Sequence, residues 1–209
     1  MKFKITLKMN REHGDLLQFN YQYEQSAVIY RILAQADTQY SSWLHENGYQ
    51  LNGSKRFKLF CYSPFIFEKV RPLPEGGCLK IIDERAVWYI SFIPEKSTLE
   101  FIQGIFAHQS FSIGNKKYQV AFDVVGVEAI PMPQLSEGMT FVALSPICVK
   151  LHEDNKTQYL SPDNPMFAEG VLKGLMARYE SIHGQPFDMN DKEFSFELTD
   201  NKVKSKLIT

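Results

Sequence analysis

Cysteine is scarce. Cys61, Cys78 and Cys148 are the only three in 209 residues, widely separated and each among apolar neighbours. An odd count with no CxxC pair argues against a disulfide framework and against a zinc site, and it fits a reducing cytoplasm. No apolar run approaches the roughly 18 residues of a membrane helix, so no membrane partner is expected. The N-terminus, MKFKITLKMNREHG, carries charge throughout and lacks the apolar stretch of a signal peptide, so secretion is not expected. The phosphate-loop pattern GxxxxGK[ST], the dinucleotide pattern GxGxxG, the zinc pattern HExxH and the nucleophile pattern GxSxG are all absent. His13, His45, His108, His152 and His183 stand far apart, and none is followed three or four residues on by another histidine, cysteine or carboxylate. No metal and no cofactor are therefore expected.

Net charge is also nearly absent, at −1, which argues against indiscriminate nucleic-acid binding. The total hides a local pattern. Residues 1–11 hold Lys2, Lys4, Lys8 and Arg11 with no acid. Residues 54–71 hold Lys55, Arg56, Lys58, Lys69 and Arg71 against Glu68. The first 100 residues carry 13 basic against 11 acidic side chains, the remainder 10 against 13. Two basic strips in the N-terminal half could thus face a phosphate chain, or could simply keep strand edges soluble.

What is present is ordinary globular material: 44% apolar, 22% charged and 13% aromatic residues, enough for one large or two small domains. Phe3, Ile5 and Leu7 alternate with Lys2, Lys4, Thr6 and Lys8, which predicts a strand with one apolar and one basic face. A helical region follows over Tyr23–His45, with Asp37-Thr38 able to cap a second short helix and Asn47-Gly48 ending it. Strands are expected at Phe57–Ser63, Leu79–Ile82 and Ala86–Ile93, with a turn at Pro72–Gly77. A helix opens at Pro94–Ser97, and a strand pair spans Phe111–Ile113 and Tyr118–Ile130. Strand, helix, strand, strand, helix, strand is the split βαβ order of the ferredoxin-like fold. A linker is expected near 131–138, after which the plan restarts: a strand at Thr140–Leu151, a helix at Pro165–Ile182, and a hairpin of Phe194–Leu198 with Val203–Ile208. The fold class is α+β, with tandem ferredoxin-like domains at 1–131 and 139–209, the second incomplete.

Tyr30, His45 and Lys58 are the one grouping that suggests chemistry. A phenol, an imidazole and an ammonium would suit phosphodiester cleavage without a metal, because RNA supplies its own 2′-hydroxyl nucleophile. Each also has an ordinary structural reading: tyrosine as packing, histidine as a helix C-terminal cap, lysine as a solvated strand face.

Asn20–Tyr23, Ala27–Ile32, Trp43–Glu46 and Phe57–Ser63, together with Thr140–Ile147 and the helix after it, resemble one family in the right order. It is the CRISPR-associated endoribonuclease of the RAMP superfamily, which cuts repeat RNA into guide RNAs. The resemblance implies tandem ferredoxin-like domains and metal-independent cleavage to a 2′,3′-cyclic phosphate and a 5′-hydroxyl. It places Tyr30, His45 and Lys58 at the catalytic positions. Lys55 and Arg56, beside Lys58, and Lys2 and Lys4 are expected near RNA phosphates. The implied partner is CRISPR repeat RNA (pre-crRNA), with CRISPR effector-complex proteins and a second copy of the chain as further candidates. The family's glycine-rich C-terminal loop has no counterpart before Thr209. Two other readings stand beside this one: a non-catalytic RNA-binding subunit of the same superfamily, and an unrelated ferredoxin-like domain for a small molecule or protein.

Overall fold

A computed structural model describes residues 1–53, 55–153, 156–190 and 193–198. In chain order the elements are β1 (Lys2–Asn10), β2 (Leu16–Gln18), α1 (Gln22–Ala36), α2 (Thr38–Glu46), β3 (Tyr49–Leu51), β4 (Lys55–Phe57), β5 (Phe60–Tyr62), β6 (Val70–Leu73), β7 (Cys78–Ile81), β8 (Arg85–Phe92), α3 (Glu95–Ala107), β9 (Ser110–Gly114), β10 (Gln119–Ile130), β11 (Lys150–Glu153), β12 (Lys156–Tyr159) and α4 (Met166–His183). They fall into two compact units. The first holds Met1–Glu46 and Leu59–Leu135, and the second holds Asn47–Lys58 and the described residues from Ser136 onward. The expected boundaries, 1–131 and 139–209, differ from this division over Asn47–Lys58.

The first unit is built on a five-stranded antiparallel sheet in the order β5-β8-β1-β10-β9. Read from β10 to β5, this is the ferredoxin-like order with β9 added outside β10. Alternation in β1 explains its central place. Phe3, Ile5, Leu7 and Met9 are buried, while Lys2, Lys4 and Thr6 are half-buried and Lys8 is exposed on the other face. Ile5 sits opposite Trp88 of β8 and Val127 of β10. The apolar face is covered by α1, through Val28, Ile29, Ile32 and Leu33, and by α3, through Phe101 and Ile105. The two helices touch backbone to backbone at Gly104, where a Cβ would come 1.8 Å from the Ile32 carbonyl oxygen. Trp88, Phe92 and Phe101 fill the centre as a chain of ring contacts.

A small sheet in the order β2-β7-β6 contains the strand expected at Leu79–Ile82, as β7, whereas β2 and β6 were not expected from the sequence. Its strands are three or four residues long, and β6 contains Pro72, which the proline–glycine pattern marked as turn. The predicted single strand over Phe57–Ser63 is instead two short strands with different partners. β4 pairs with β3, and β5 pairs with β8. Leu59 separates them with φ of 54°, a left-handed backbone rare for a branched side chain. The division between the two units falls between Lys58 and Leu59.

The second unit consists of the β3–β4 hairpin, the β11–β12 hairpin and α4, with β3 packed against α4. Its buried hydrophobics among the described residues are Val149, Leu160 and Phe167, with Leu151, Val171 and Phe196 packed on them. The strand predicted at Thr140–Leu151 is a correction: only Lys150–Glu153 is strand, and 140–149 is irregular. β structure needs a paired ladder, and the hairpin partner β12 reaches only Lys150. Pro146 further lacks an N–H to donate. Phe141, Val142, Leu144 and Ile147 accordingly remain exposed. Phe194–Leu198 carries no strand, and the other half of that predicted hairpin lies outside the described residues.

Candidate active site

Tyr30 and His45 come together inside the first unit through helix geometry. α1 stops at Asp37, whose carboxylate accepts from the Tyr40 backbone N–H at 2.8 Å and so starts α2. α2 then buries Tyr40, Ser41 and Leu44. The Ser41 hydroxyl donates to the Tyr30 carbonyl oxygen at 2.8 Å. Residues four apart share a helix face, so His45 projects on the same side as Ser41. Its ring meets the Tyr30 ring edge-on, with centroids 5.0 Å apart and planes at 85°. Phe60 of β5 contacts the Tyr30 ring at 5.8 Å, also edge-on.

This setting decides the state of the phenol. Burial, followed by the neighbouring Tyr62 hydroxyl, pushes the Tyr30 pKa up to about 12. Tyr30 is therefore a neutral hydrogen-bond donor at physiological pH and no base. His45 is exposed, at the last turn of α2.

Lys58 belongs to the second unit, immediately after β4. It is half-buried, and burial followed by the nearby Arg56 charge lowers its pKa. Gly48 makes room for it. With φ of 65°, Gly48 adopts a conformation that favours glycine, and a Cβ there would lie 2.6 Å from the Phe57 carbonyl oxygen and 3.4 Å from the Lys58 ammonium nitrogen. Lys55 and Arg56 are exposed on β4, opposite Leu51 and Gln50. The hairpin reverses through Asn52 and Gly53, both left-handed.

Lys2 and Lys4 lie on β1 of the first unit, opposite its apolar face. Lys4 pairs with Glu128 at 3.0 Å, which raises its pKa by hydrogen bond and charge. Lys2 lies over the Tyr89 ring at 5.1 Å. The structure thus joins Tyr30 to His45, groups Lys55, Arg56 and Lys58 in one hairpin, and leaves Lys2 and Lys4 on a separate strand. Sequence reasoning missed Ser41 and read Gly48 only as a helix stop. A serine four residues before a candidate histidine was the available signal. Among the described residues no three or more His, Cys, Asp or Glu side chains gather as a metal ligand set, and no helix is long and apolar enough to cross a membrane.

A ferredoxin-like unit carrying a tyrosine–histidine ring contact, interrupted in sequence by a cationic hairpin, defines a two-unit α+β protein. The N-terminal domain of the CRISPR-associated protein Cas6 family matches residues 16–122, and its C-terminal domain matches residues 130–209. The chain belongs to the Cas6 family of CRISPR-associated proteins. It is 24% identical over 205 residues to the CRISPR-associated endoribonuclease Cas6 of Pyrococcus furiosus, covering 98% of this chain and 72% of that protein. A second P. furiosus protein, described as CRISPR-associated endoribonuclease-like Cas6, is 26% identical over 203 residues, covering 95% and 77%. Among solved structures, a Cas6-related protein of P. furiosus superposes with a TM-score of 0.72 at 24% identity, over 90% of this chain and 73% of its own. A RAMP protein that binds different RNA substrates gives 0.70 at 24%, over 89% and 73%. These likenesses fix the fold as α+β with tandem ferredoxin-like domains.

Proposed function

We propose that this Cas6-family protein cuts CRISPR repeat RNA without a metal ion. The observation that carries the reading is the Tyr30–His45 ring contact, built on buried helices of the domain the family shares. The 2′-hydroxyl of the RNA attacks the adjacent phosphorus, and the bond from phosphorus to the 5′-oxygen breaks. The products are a 2′,3′-cyclic phosphate and a 5′-hydroxyl. Tyr30, held neutral, donates a hydrogen bond that orients the attacking sugar, and the 2′-hydroxyl proton passes to water. His45 gives a proton to the leaving 5′-oxygen, the general-acid role that imidazole side chains most often fill. Lys58 stabilises the charge that accumulates on the phosphorane-like transition state. Lys55, Arg56, Lys2 and Lys4 hold backbone phosphates.

The test is cleavage of cognate repeat RNA in EDTA by the full chain. Cleavage is expected to persist, and a 2′-deoxy substitution at the cut site is expected to abolish it while binding remains. A general acid contributes about 10²–10⁴-fold, so His45→Ala should lose that much rate with RNA affinity near wild type. Wild-type rates in His45→Ala, or cutting of the deoxy-substituted RNA, overturn the mechanism. Binding with no cleavage would instead favour a non-catalytic RNA-binding subunit.

A further inference from the structure

We infer that Arg178 of α4 is an RNA-phosphate ligand, extending the cationic surface of the second unit from the β3–β4 hairpin onto the helix. The inference rests on RNA being the substrate.

Arg178 is exposed yet held in place. Its guanidinium lies over the Phe57 ring, 5.2 Å from the centroid, and Phe57 stands between Arg56 and Lys58 on the hairpin. Its Nη1 donates to the Gly174 carbonyl oxygen at 2.7 Å, one turn back on the same helix. Gly174 explains how the side chain can fold that way, because a Cβ there would come 3.1 Å from that Nη1. Among the described residues no carboxylate lies within ion-pair distance of Arg178.

A guanidinium has five N–H donors in a planar fork. The Phe57 ring lies 5.2 Å from the guanidinium carbon, and the Gly174 carbonyl takes one donor. The remaining donors point along the edge, where a phosphate can accept two in parallel. Two contacts have already restricted the rotamers, so little ordering remains when an anion binds. Arg178 also belongs to the same unit as Lys55, Arg56 and Lys58, the cations that the proposed function assigns to the RNA backbone.

The test uses the full chain and repeat RNA with 2′-O-methyl sugars, which keeps every phosphate and removes the nucleophile. Affinity is measured across a salt series. Arg178→Ala is expected to weaken binding about tenfold at physiological salt. It should also lower the log–log salt slope by about 0.7, the value for one single-strand phosphate contact. Arg178→Lys should restore the slope and only part of the affinity. Thermal melting of each variant checks that α4 and the hairpin are folded. If Arg178→Ala binds as wild type, or binds more weakly with an unchanged slope, Arg178 is a packing clip and the inference fails. If the wild-type chain itself shows no salt-dependent affinity, the RNA reading fails instead, and the two failures are told apart by that control.

Discussion

The two units spend their side chains differently. The first closes a five-stranded sheet under α1 and α3, with Trp88, Phe92, Phe101 and Phe122 fully buried. The second buries Val149, Leu160 and Phe167 and leaves Phe141 and Val142 exposed. The proposed orienting phenol and general acid, Tyr30 and His45, stand on the dense unit, and the densest cationic segment stands on the thin one. Proton transfer demands placement to a fraction of an ångström, which packed helices supply. Phosphate binding by lysine and arginine acts over a longer range and tolerates adjustment of the side chains.

The widest separation between the units should be seen in stability. Phe101→Ala removes a fully buried ring at the α3–sheet contact and is expected to cost about 3–5 kcal/mol, unfolding the first unit cooperatively. Phe167→Ala empties the small core beneath α4 and should open the second unit alone. Hydrogen exchange resolved by segment checks this: wild-type α4 amides should exchange at lower free energy than those of α1. Equal protection of α4 and α1 would break the comparison.

An alkaline transition should come next in size and belong to the first unit. Burial pushes the Tyr21 pKa up to about 12, against 10.0 for an ordinary phenol. Below pH 10 both folded and unfolded chains hold the proton, so the stability is fully present. Between 10 and 12 the unfolded chain releases it while the folded chain keeps it, and stability falls as pH rises. Two pH units at 1.36 kcal/mol each bound the loss from Tyr21 at about 2.7 kcal/mol, and Tyr30 adds a loss of the same sign. Tyr21→Phe should flatten that fall, though it also removes the acceptor for the Phe65 backbone N–H at 3.0 Å. Denaturant melts at pH 9 and pH 11.5 measure the difference, and identical slopes in wild type and variant would remove Tyr21 as its cause.

Much of the first unit was legible because its signals are local. The period-two alternation of Lys2–Lys8 gave β1, and the helix start at Pro94–Ser97 gave α3. Of the β2-β7-β6 sheet only β7 was legible, since the three residues of β2 carry no period and Pro72 in β6 reads as a turn. Thr140–Leu151 misled for the opposite reason: it has strand composition, but composition does not supply a pairing partner. At the site, Tyr30 and His45 could be named from resemblance, whereas their contact depends on the Asp37 break between α1 and α2. The break at Leu59, which assigns Lys58 to the other unit, follows from which strand each side pairs with. Arg178 gave no sequence signal at all, because its partner Phe57 lies 121 positions earlier.

The smallest expected effect separates scaffold from site within the first unit. Ser41 is buried, and its hydroxyl reaches the Tyr30 carbonyl oxygen while His45 sits one turn on along the same face. Removing that oxygen should cost about 1 kcal/mol of stability, the net value of one hydrogen bond. α2 remains anchored by Leu44 and by Tyr40, whose hydroxyl bonds that of Ser97, so the helix shifts without detaching. A 1 Å misplacement of a catalytic group can cost a hundredfold, and a partly restrained helix should move less, giving a loss of roughly tenfold in cleavage rate. As a positioning residue Ser41 touches no RNA, so kcat should fall in Ser41→Ala while the Kd for uncleavable RNA stays constant. Ser41→Thr keeps the hydroxyl and should recover most of the rate. A variant that loses the stability yet cleaves at the wild-type rate would show that the hydroxyl serves packing alone, and that the Tyr30–His45 contact is set by the apolar face of α2.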